Sequence, residues 1–349
     1  MRHFTHIADL GPDGVHALLA RAAELKLLQA DSGLSSGLSS GPGSGTTHGQ
    51  ALPKTMRDLS LGMLFLNPSL RTRASFEMAM HKLGGHAIAM DTGAVWNLES
   101  DEQAVMNADR PEHVKEAAGV LSRYFDVLAV RAFAKSSTLG EEHADATINA
   151  FRRHASVPVI SMESAREHPC QGLADMLTVR EILGQTQGAK ITLVWAPHIK
   201  ALPRAVPNSL LLSAAAAGAD IRIAHPPGYD LAPQVLTEAR ALAQYSDGKI
   251  SVTDDRNEAL QGAQIVYAKS WAPSAEFARA PDNPVLKAWM LGSEHFAQHC
   301  PEASFLHCLP VRRNVEVSSS LLDSVHARVI DQAANRLWVQ MAALEWLLA

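Results

Sequence analysis

Short apolar runs, separated by longer segments of mixed polarity, recur along most of the chain. Each run is four to six residues long and almost wholly apolar, as in LGMLFL and ITLVWA. Buried parallel strands have this character, and their alternation with helical patterns indicates βαβ units. The predicted strands are Leu61–Leu66, His86–Met90, Val127–Arg131, Pro158–Met162, Ile191–Ala196, Ile221–Ala224, Gln264–Ala268 and Phe305–Cys308. We therefore predict an α/β fold.

The chain is long enough for two domains. It has 349 residues, and a chain of this length is too long for a single ordinary hydrophobic core. Because 47% of the residues are hydrophobic, it can bury a large apolar interior. Helical patterns lie near residues 12–30 and over Glu112–Tyr124, Leu173–Leu183 and Asn335–Leu348. We predict domains over residues 1–155 and 156–332, each with a parallel sheet flanked by helices, and a final helix, 333–349, that packs back on the first domain.

One segment is predicted to be a flexible loop. Residues 32–49 read SGLSSGLSSGPGSGTTHG, a low-complexity stretch rich in serine and glycine. Such a composition buries too little surface to offset its ordering entropy.

Composition excludes several classes of protein. The formal net charge of -5 argues against a general nucleic-acid-binding protein. The three cysteines, Cys170, Cys300 and Cys308, form no CxxC pair, which disfavours a disulfide framework or a zinc site. No run of about 18 apolar residues and no apolar signal core occurs. We expect no membrane span and a cytoplasmic location.

The segment Ser69-Leu70-Arg71-Thr72-Arg73 has the features of an anion site. It follows a predicted strand and precedes the helical pattern SFEMAMHKLG. Backbone N–H groups and the dipole at a helix start favour an anion, and guanidinium groups match phosphate oxygens. The alternative is a polar, solvated helix start.

Two further polar clusters follow predicted strands. His168-Pro169-Cys170-Gln171 comes after VPVIS, and His307-Cys308-Leu309-Pro310 comes after SFL. A lone histidine is more often structural than functional. Together, however, three polar strand ends indicate a crevice at the carboxyl edge of a sheet.

In this order and spacing, SLRTR, HPCQ and HCLP resemble the aspartate/ornithine carbamoyltransferases, over essentially the whole chain. The resemblance implies the carbamoyltransferase fold and a homotrimer with active sites between subunits. It implies carbamoyl phosphate as the donor, and a reaction that uses no metal and no cofactor. A cis Leu309–Pro310 peptide bond is also implied.

The stretch before HCLP is similar to that of the N-acylornithine branch. Ornithine enzymes proper carry an aspartate there for the free α-amine, whereas this chain has Tyr267-Ala268-Lys269-Ser270-Trp271. A cation in place of that carboxylate suits an acceptor whose α-amine is acylated. Trp195–His198 and Val206–Ser209 also resemble this branch.

The resemblance implies a role for each matching residue. Thr72, Arg71, Arg131 and His168 would act in catalysis. Carbamoyl phosphate would contact Ser69, Leu70, Arg71, Thr72, Arg73, Trp96 of a neighbouring subunit, Arg131, His168, Gln171, Cys308, Leu309 and Arg336. The acylornithine would contact Glu163, His198, Lys269, Arg312, Cys308, Leu309 and Pro111.

Two positions bear on the acyl group and its surroundings. Acetylornithine enzymes have a glutamate, and succinylornithine enzymes a proline, where this chain has Pro111. Removing a like charge would admit a succinyl carboxylate, although a one-residue shift would place Glu112 there, and a proline also suits a first helical turn. Glu316 lies where some acetylornithine enzymes carry a carboxylated lysine. It is either a fixed negative charge of the site or a solvated surface residue.

We therefore expect carbamoyl transfer to N-succinylornithine. Three alternatives stay open: N-acetylornithine as acceptor, a non-catalytic phosphate-binding module, and a Rossmann nucleotide enzyme. No GxGxxG follows any strand, which disfavours the last.

Overall fold

A computed structural model describes residues 1–31, 51–91, 96–107, 109–133, 138–274 and 284–349. The predicted loop 32–49 lies outside these ranges. The N-terminal elements are α1 Gly11–Asp31, β1 Ser60–Phe65, α2 Leu70–Lys82, β2 His86–Asp91, β3 Leu98–Glu99, β4 Glu112–His113, α3 Val114–Leu121, β5 Val127–Arg131, α4 Leu139–Ala144, α5 Ala146–His154, β6 Val159–Glu163 and α6 Pro169–Leu183.

The second half continues the alternation of strands and helices. Its elements are β7 Lys190–Trp195, α7 Ala205–Ala216, β8 Asp220–Ala224, α8 Pro233–Ser246, β9 Lys249–Thr253, α9 Arg256–Leu260, β10 Ile265–Lys269, α10 Pro284–Lys287, α11 Ser293–His299, β11 Ser304–Leu306, α12 Ser319–Leu322 and α13 Val329–Leu348.

The strands form two main parallel sheets, which confirms the predicted fold class. The first has the order β2-β1-β5-β6 and the second β11-β10-β7-β8-β9, while β3 and β4 pair separately. Sequence patterning missed β9. Its sequence, KISVT, is largely polar because β9 is an edge strand without a fully buried residue.

The first sheet extends past the predicted boundary between residues 155 and 156. β6 pairs with β5, so the first sheet extends to Glu163. From there α6 leads towards β7 of the second sheet. An apolar strand such as VPVIS carries no sign of the sheet to which it belongs, because that depends on long-range pairing.

Two helices hold the sheets together. Residues Pro169–Val179 of α6 are all buried, and α13 packs against α1, α2 and α6. One apolar core therefore runs through both halves of the chain. α13 begins at Val329, four residues earlier than predicted.

Gly172 allows α6 to lie close against α7. A Cβ atom at Gly172 would lie 2.7 Å from the Ser209 carbonyl oxygen and would collide with the Ser213 hydroxyl. We expect Gly172→Ala to lower the free energy of unfolding by about 1–3 kcal/mol. Gly119 in α3 has open space around it, so Gly119→Ala is the matched control and should be neutral or stabilising by up to about 1 kcal/mol. Urea unfolding of both variants checks this, and equal midpoints would contradict it.

Candidate active site

A cavity of about 710 Å³ lies where the carboxyl ends of strands from both sheets meet. Such a volume suits a small-molecule site. Its lining comes from the segments after β1, β5, β6, β7, β10 and β11, and from α13. The lining residues are Pro68, Ser69, Leu70, Arg71, Thr72, Arg131, Phe133, Glu163, His168, Gln171, His198, Leu202, Pro203, Val206, Lys269, Cys308, Leu309, Pro310, Val311, Arg312, Glu316 and Arg336. All three sequence clusters thus reach one site.

The start of α2 forms one wall of this cavity. Ser69 is the N-cap, and its hydroxyl accepts a hydrogen bond from the Thr72 backbone N–H at 3.3 Å. Arg336 of α13 donates to the Thr72 hydroxyl at 2.7 Å, which brings a buried guanidinium to the same place. Burial lowers the pKa of Arg336 to about 10, which still leaves it charged at neutral pH. The N-terminus of α2 and two cations, Arg71 and Arg336, make this wall an anion site.

Arg73 does not join this wall, which corrects the sequence expectation. Its guanidinium forms ion pairs with Glu77 at 3.1 Å and Asp91 at 2.7 Å, and its side chain is 46% exposed. The helical turn explains the difference. Thr72 is fully buried in α2, and the next residue points about 100° away from it.

Arg131, Glu163 and His168 form a second polar cluster in the cavity. Arg131 ends β5 and pairs with Glu163 at the end of β6, with Nη1 and Oε2 2.5 Å apart. The same Oε2 lies 3.7 Å from Nε2 of His168. Burial, with Arg336 and Arg131 nearby, holds the pKa of His168 well below its usual value. His168 is therefore a neutral imidazole at physiological pH, able to donate one hydrogen bond without carrying charge.

The loop after β11 is fixed by hydrogen bonds to its backbone N–H groups. The His307 backbone N–H donates to Gln332 Oε1 at 2.9 Å, and the Leu309 N–H donates to His307 Nδ1 at 3.0 Å. Leu309 has a left-handed φ of 51°, and the expected cis Leu309–Pro310 bond is present. The loop thus presents Cys308 and Leu309 to the cavity.

Glu316 is a site residue, so the surface alternative is wrong. It is 1% exposed, its Oε2 accepts from the Arg312 backbone N–H at 2.8 Å, and Oε1 lies 3.7 Å from His307 Nε2. Burial alone would raise the pKa of Glu316, but His307 and Lys269 outweigh it and the pKa lies below its usual value. A fixed negative charge therefore lines the cavity.

The second domain contributes cations to the far side. Lys269, 8% exposed, ends β10, and Arg312 Nε donates to His198 Nε2 at 3.0 Å. Burial lowers the pKa of His198, so its ring is neutral and can accept this bond. Several apolar lining residues were not predicted from the sequence, among them Phe133, whose ring centroid lies 4.6 Å from the Arg131 guanidinium carbon. Its position two residues after a strand ending in arginine was the only available signal.

Trp96 and Pro111 are not among the residues that line the cavity. Trp96 precedes β3 by two residues, Pro111 directly precedes β4, and β3 pairs with β4 through Leu98 and Glu112. The two residues therefore lie at the same end of one small ribbon. Both are exposed, Trp96 by 69%. An exposed tryptophan of this size is available to a partner surface.

The cavity suits two anionic molecules. Five cations, Arg71, Arg131, Lys269, Arg312 and Arg336, face only two carboxylates, Glu163 and Glu316. Within the described ranges, no three metal-ligating side chains come together. Also within them, no helix is long and apolar enough to span a membrane. Anion binding by guanidinium groups is the chemistry that this site offers.

Comparison with known proteins agrees with this geometry. Residues 2–181 match the carbamoyl phosphate-binding domain of aspartate/ornithine carbamoyltransferases, and residues 187–347 match their aspartate/ornithine-binding domain. The chain is 34% identical to an N-acetylornithine carbamoyltransferase of Xanthomonas campestris, over 99% of this chain and 97% of the relative. It is 37% identical to an N-succinylornithine carbamoyltransferase of Bacteroides fragilis, over 80% and 84%.

A solved structure gives the same result for the fold. It is an N-acetyl-L-ornithine transcarbamylase in which one glutamate is replaced by proline, in complex with carbamyl phosphate and N-succinyl-L-norvaline. Its TM-score is 0.88 at 34% identity, and the match covers 99% of this chain and all of that one. With family models over both halves and relatives along its length, the chain belongs to the aspartate/ornithine carbamoyltransferase family and is a carbamoyltransferase enzyme.

Proposed function

We propose that this enzyme transfers the carbamoyl group of carbamoyl phosphate to the δ-amine of N2-succinyl-L-ornithine. The products are N-succinylcitrulline and phosphate, and the reaction belongs to arginine biosynthesis. The observation that carries the proposal is the charge of the acceptor side. Lys269 and Arg312 lie where a free α-ammonium would need a carboxylate, and Glu163 and Glu316 are already engaged with cations or N–H groups.

The donor would bind first to the wall built by α2. Its phosphate would lie at the helix start against Ser69, Leu70, Arg71 and Thr72, with Arg336 alongside. The carbamoyl group would face Arg131, His168 and Gln171. In this position the carbonyl oxygen receives hydrogen bonds from Arg131, Thr72 and the neutral His168.

The reaction then requires alignment and charge stabilisation. The uncharged δ-amine attacks the carbamoyl carbon, a C–N bond forms, and negative charge develops on the carbonyl oxygen. The C–O bond to phosphate breaks, and phosphate leaves with the bonding electrons against Arg71. The backbone carbonyls of Cys308 and Leu309 accept hydrogen bonds from the amine, and a phosphate oxygen takes up its proton.

The preference for one acyl group is set by Pro111, which is not among the residues that line the cavity. We propose a homotrimer in which Trp96 and Pro111 reach a neighbouring subunit's site, Trp96 over the phosphate and Pro111 beside the acyl chain. A proline there leaves room and no repelling charge for a succinyl carboxylate. The proline-substituted relative in complex with N-succinyl-L-norvaline supports this reading. Sequence identities of 34% and 37% to acetyl and succinyl enzymes do not separate the two acceptors.

An acceptor assay tests the proposal. Citrulline derivatives formed from carbamoyl phosphate are measured with N-succinyl-, N-acetyl- and unmodified L-ornithine, for the wild type and for Pro111→Glu. We expect kcat/KM to be highest for N-succinylornithine in the wild type. In Pro111→Glu it should fall for this substrate by at least about tenfold, because bringing two like charges together costs several kcal/mol and about 1.4 kcal/mol is a factor of ten.

Glu112→Gln is the matched control, since a one-residue shift would make Glu112 the relevant position. It should leave the acceptor preference unchanged. A wild-type preference for N-acetylornithine would favour the alternative acceptor. A preference for unmodified ornithine, or no transfer to any of the three, would refute the proposal.

A further inference from the structure

A buried carboxylate lies directly beneath the cavity without being part of its surface. Asp175 on α6 is fully buried and does not line the cavity. Its Oδ1 accepts two hydrogen bonds, from Gln171 Nε2 at 2.7 Å and from Gln332 Nε2 at 2.6 Å. An apolar side chain at this position would stabilise the fold more, because burying a carboxyl group costs free energy. Packing therefore does not explain the carboxyl group.

The first of these bonds orients Gln171. Oδ1 of Asp175 accepts this bond, so it selects the NH₂ end of the amide. The opposite end, the carbonyl oxygen, is then left for the cavity that Gln171 lines. A carbonyl oxygen is the partner that the NH₂ of a carbamoyl group requires. Without the carboxyl group of Asp175, the Gln171 amide could rotate. Its NH₂ would then face the NH₂ of the carbamoyl group, and two donors cannot form a hydrogen bond.

The second bond orients Gln332 in the same way. Its NH₂ is held by Asp175, so its Oε1 is free to accept the His307 backbone N–H at 2.9 Å. His307 immediately precedes Cys308 and Leu309, which line the cavity. One carboxylate therefore joins α6, α13 and the loop after β11.

From this geometry we infer that Asp175 is a positioning residue for the transfer reaction. It holds the Gln171 amide towards the carbamoyl group of the donor and, through Gln332, holds the loop that carries Cys308 and Leu309. The inference rests on the proposed function. Asp175 touches neither substrate, but it fixes the orientation of the Gln171 amide and the position of the loop after β11, both of which do. Burial raises the pKa of Asp175 to about 7, although the hydrogen bonds from Gln332 and Gln171 and the charge of Arg336 act in the opposite direction.

The variants Asp175→Leu and Asp175→Asn test the positioning role. Leucine matches the shape but accepts no hydrogen bond, so both amides lose their orientation. We expect kcat for the succinylornithine reaction to fall by about 100-fold, the effect of small misplacements in aligned reactions. Asparagine can still present an oxygen to both amides, so Asp175→Asn should stay within about tenfold of the wild type. The Kd of inorganic phosphate should change by less than about threefold in both, because the phosphate wall at α2 is untouched.

Thr178→Val is the matched structural control. Thr178 lies about one turn further along α6, is 1% exposed, and joins α6 to α13 by accepting from Asn335 Nδ2 at 2.9 Å. Thr178→Val removes a buried polar contact between the same helices but touches neither Gln171 nor Gln332. It should lower the unfolding midpoint and leave kcat unchanged.

Gln332→Met tests the same hydrogen-bond network if Asp175→Leu does not fold. Gln332→Met keeps the length of the side chain but removes both of its hydrogen bonds, and should lower kcat by a similar factor. If both variants fold, their combination should lower kcat little further, because both break one network. Wild-type kcat in Asp175→Leu or in Gln332→Met, or equal losses in Thr178→Val, would overturn the positioning role alone. Absence of transfer by the wild-type enzyme would overturn the proposed function with it.

Discussion

Replacing Arg131 with alanine is expected to lower kcat by about 10²–10³-fold while the protein stays folded. That range is the effect of removing one hydrogen-bond donor from a developing oxyanion. The side chain ends β5, is 7% exposed, and reaches the cavity beside Glu163 and His168. Steady-state kinetics with carbamoyl phosphate and N-succinylornithine measures the change, and circular dichroism confirms the fold.

The control for Arg131 is an arginine elsewhere in the first domain. Arg123 lies outside the cavity and donates to the Gly119 carbonyl oxygen at 2.6 Å on an exposed surface. Arg123→Ala should keep kcat near the wild-type value. Near-wild-type turnover in Arg131→Ala would remove this residue from the proposed mechanism.

Alanine at Arg71 and alanine at Arg73 should give opposite results, although the two arginines are two residues apart. Arg71 lines the cavity at the helix start, whereas Arg73 is engaged with Glu77 and Asp91 on the outer face. We expect Arg71→Ala to weaken carbamoyl phosphate binding by at least about 30-fold, as for a charged, hydrogen-bonded contact worth about 2–3 kcal/mol. Arg73→Ala should weaken it by less than about threefold, since exposed ion pairs contribute little.

Calorimetric titration of both variants with carbamoyl phosphate measures these affinities. Equal losses at Arg71 and Arg73 would show that the outward position of Arg73 is not kept when the donor binds.

Much of the fold could be predicted because parallel strands are buried on both faces. β1 and β7 are almost wholly apolar, so their sequences alone identify them. β9 was missed for the converse reason, since an edge strand exposes polar residues. That the first sheet continues past residue 155 could not be predicted, because strand pairing is a long-range property. VPVIS would serve as a strand in either sheet.

The sequence indicates which segments meet at the cavity better than it indicates how their side chains point. The clusters at Ser69, His168 and His307 were recognisable because polar residues after apolar strands gather at one edge. Arg73 was assigned by motif, and a motif does not state which way a helical side chain points. Glu316 could be assigned only from the structure, because its burial depends on His307 and the backbone of Arg312.

The network beneath the cavity had no sequence signal. Asp175 precedes His307 by 132 positions and Gln332 by 157, and the packing of α6 against α13 brings them together. Trp96 and Pro111 show a related limit, because the chain places them near one another but outside the cavity.

A crystal structure of the enzyme with carbamoyl phosphate tests the central claim most directly, namely that the donor lies between the α2 helix start and the Arg131–His168 wall. We predict the phosphate at Ser69, Arg71 and Thr72, with the carbamoyl group directed at Arg131, His168 and Gln171. A donor bound elsewhere, or one with its phosphate at Arg131 and its carbamoyl group at Arg71, would contradict the account.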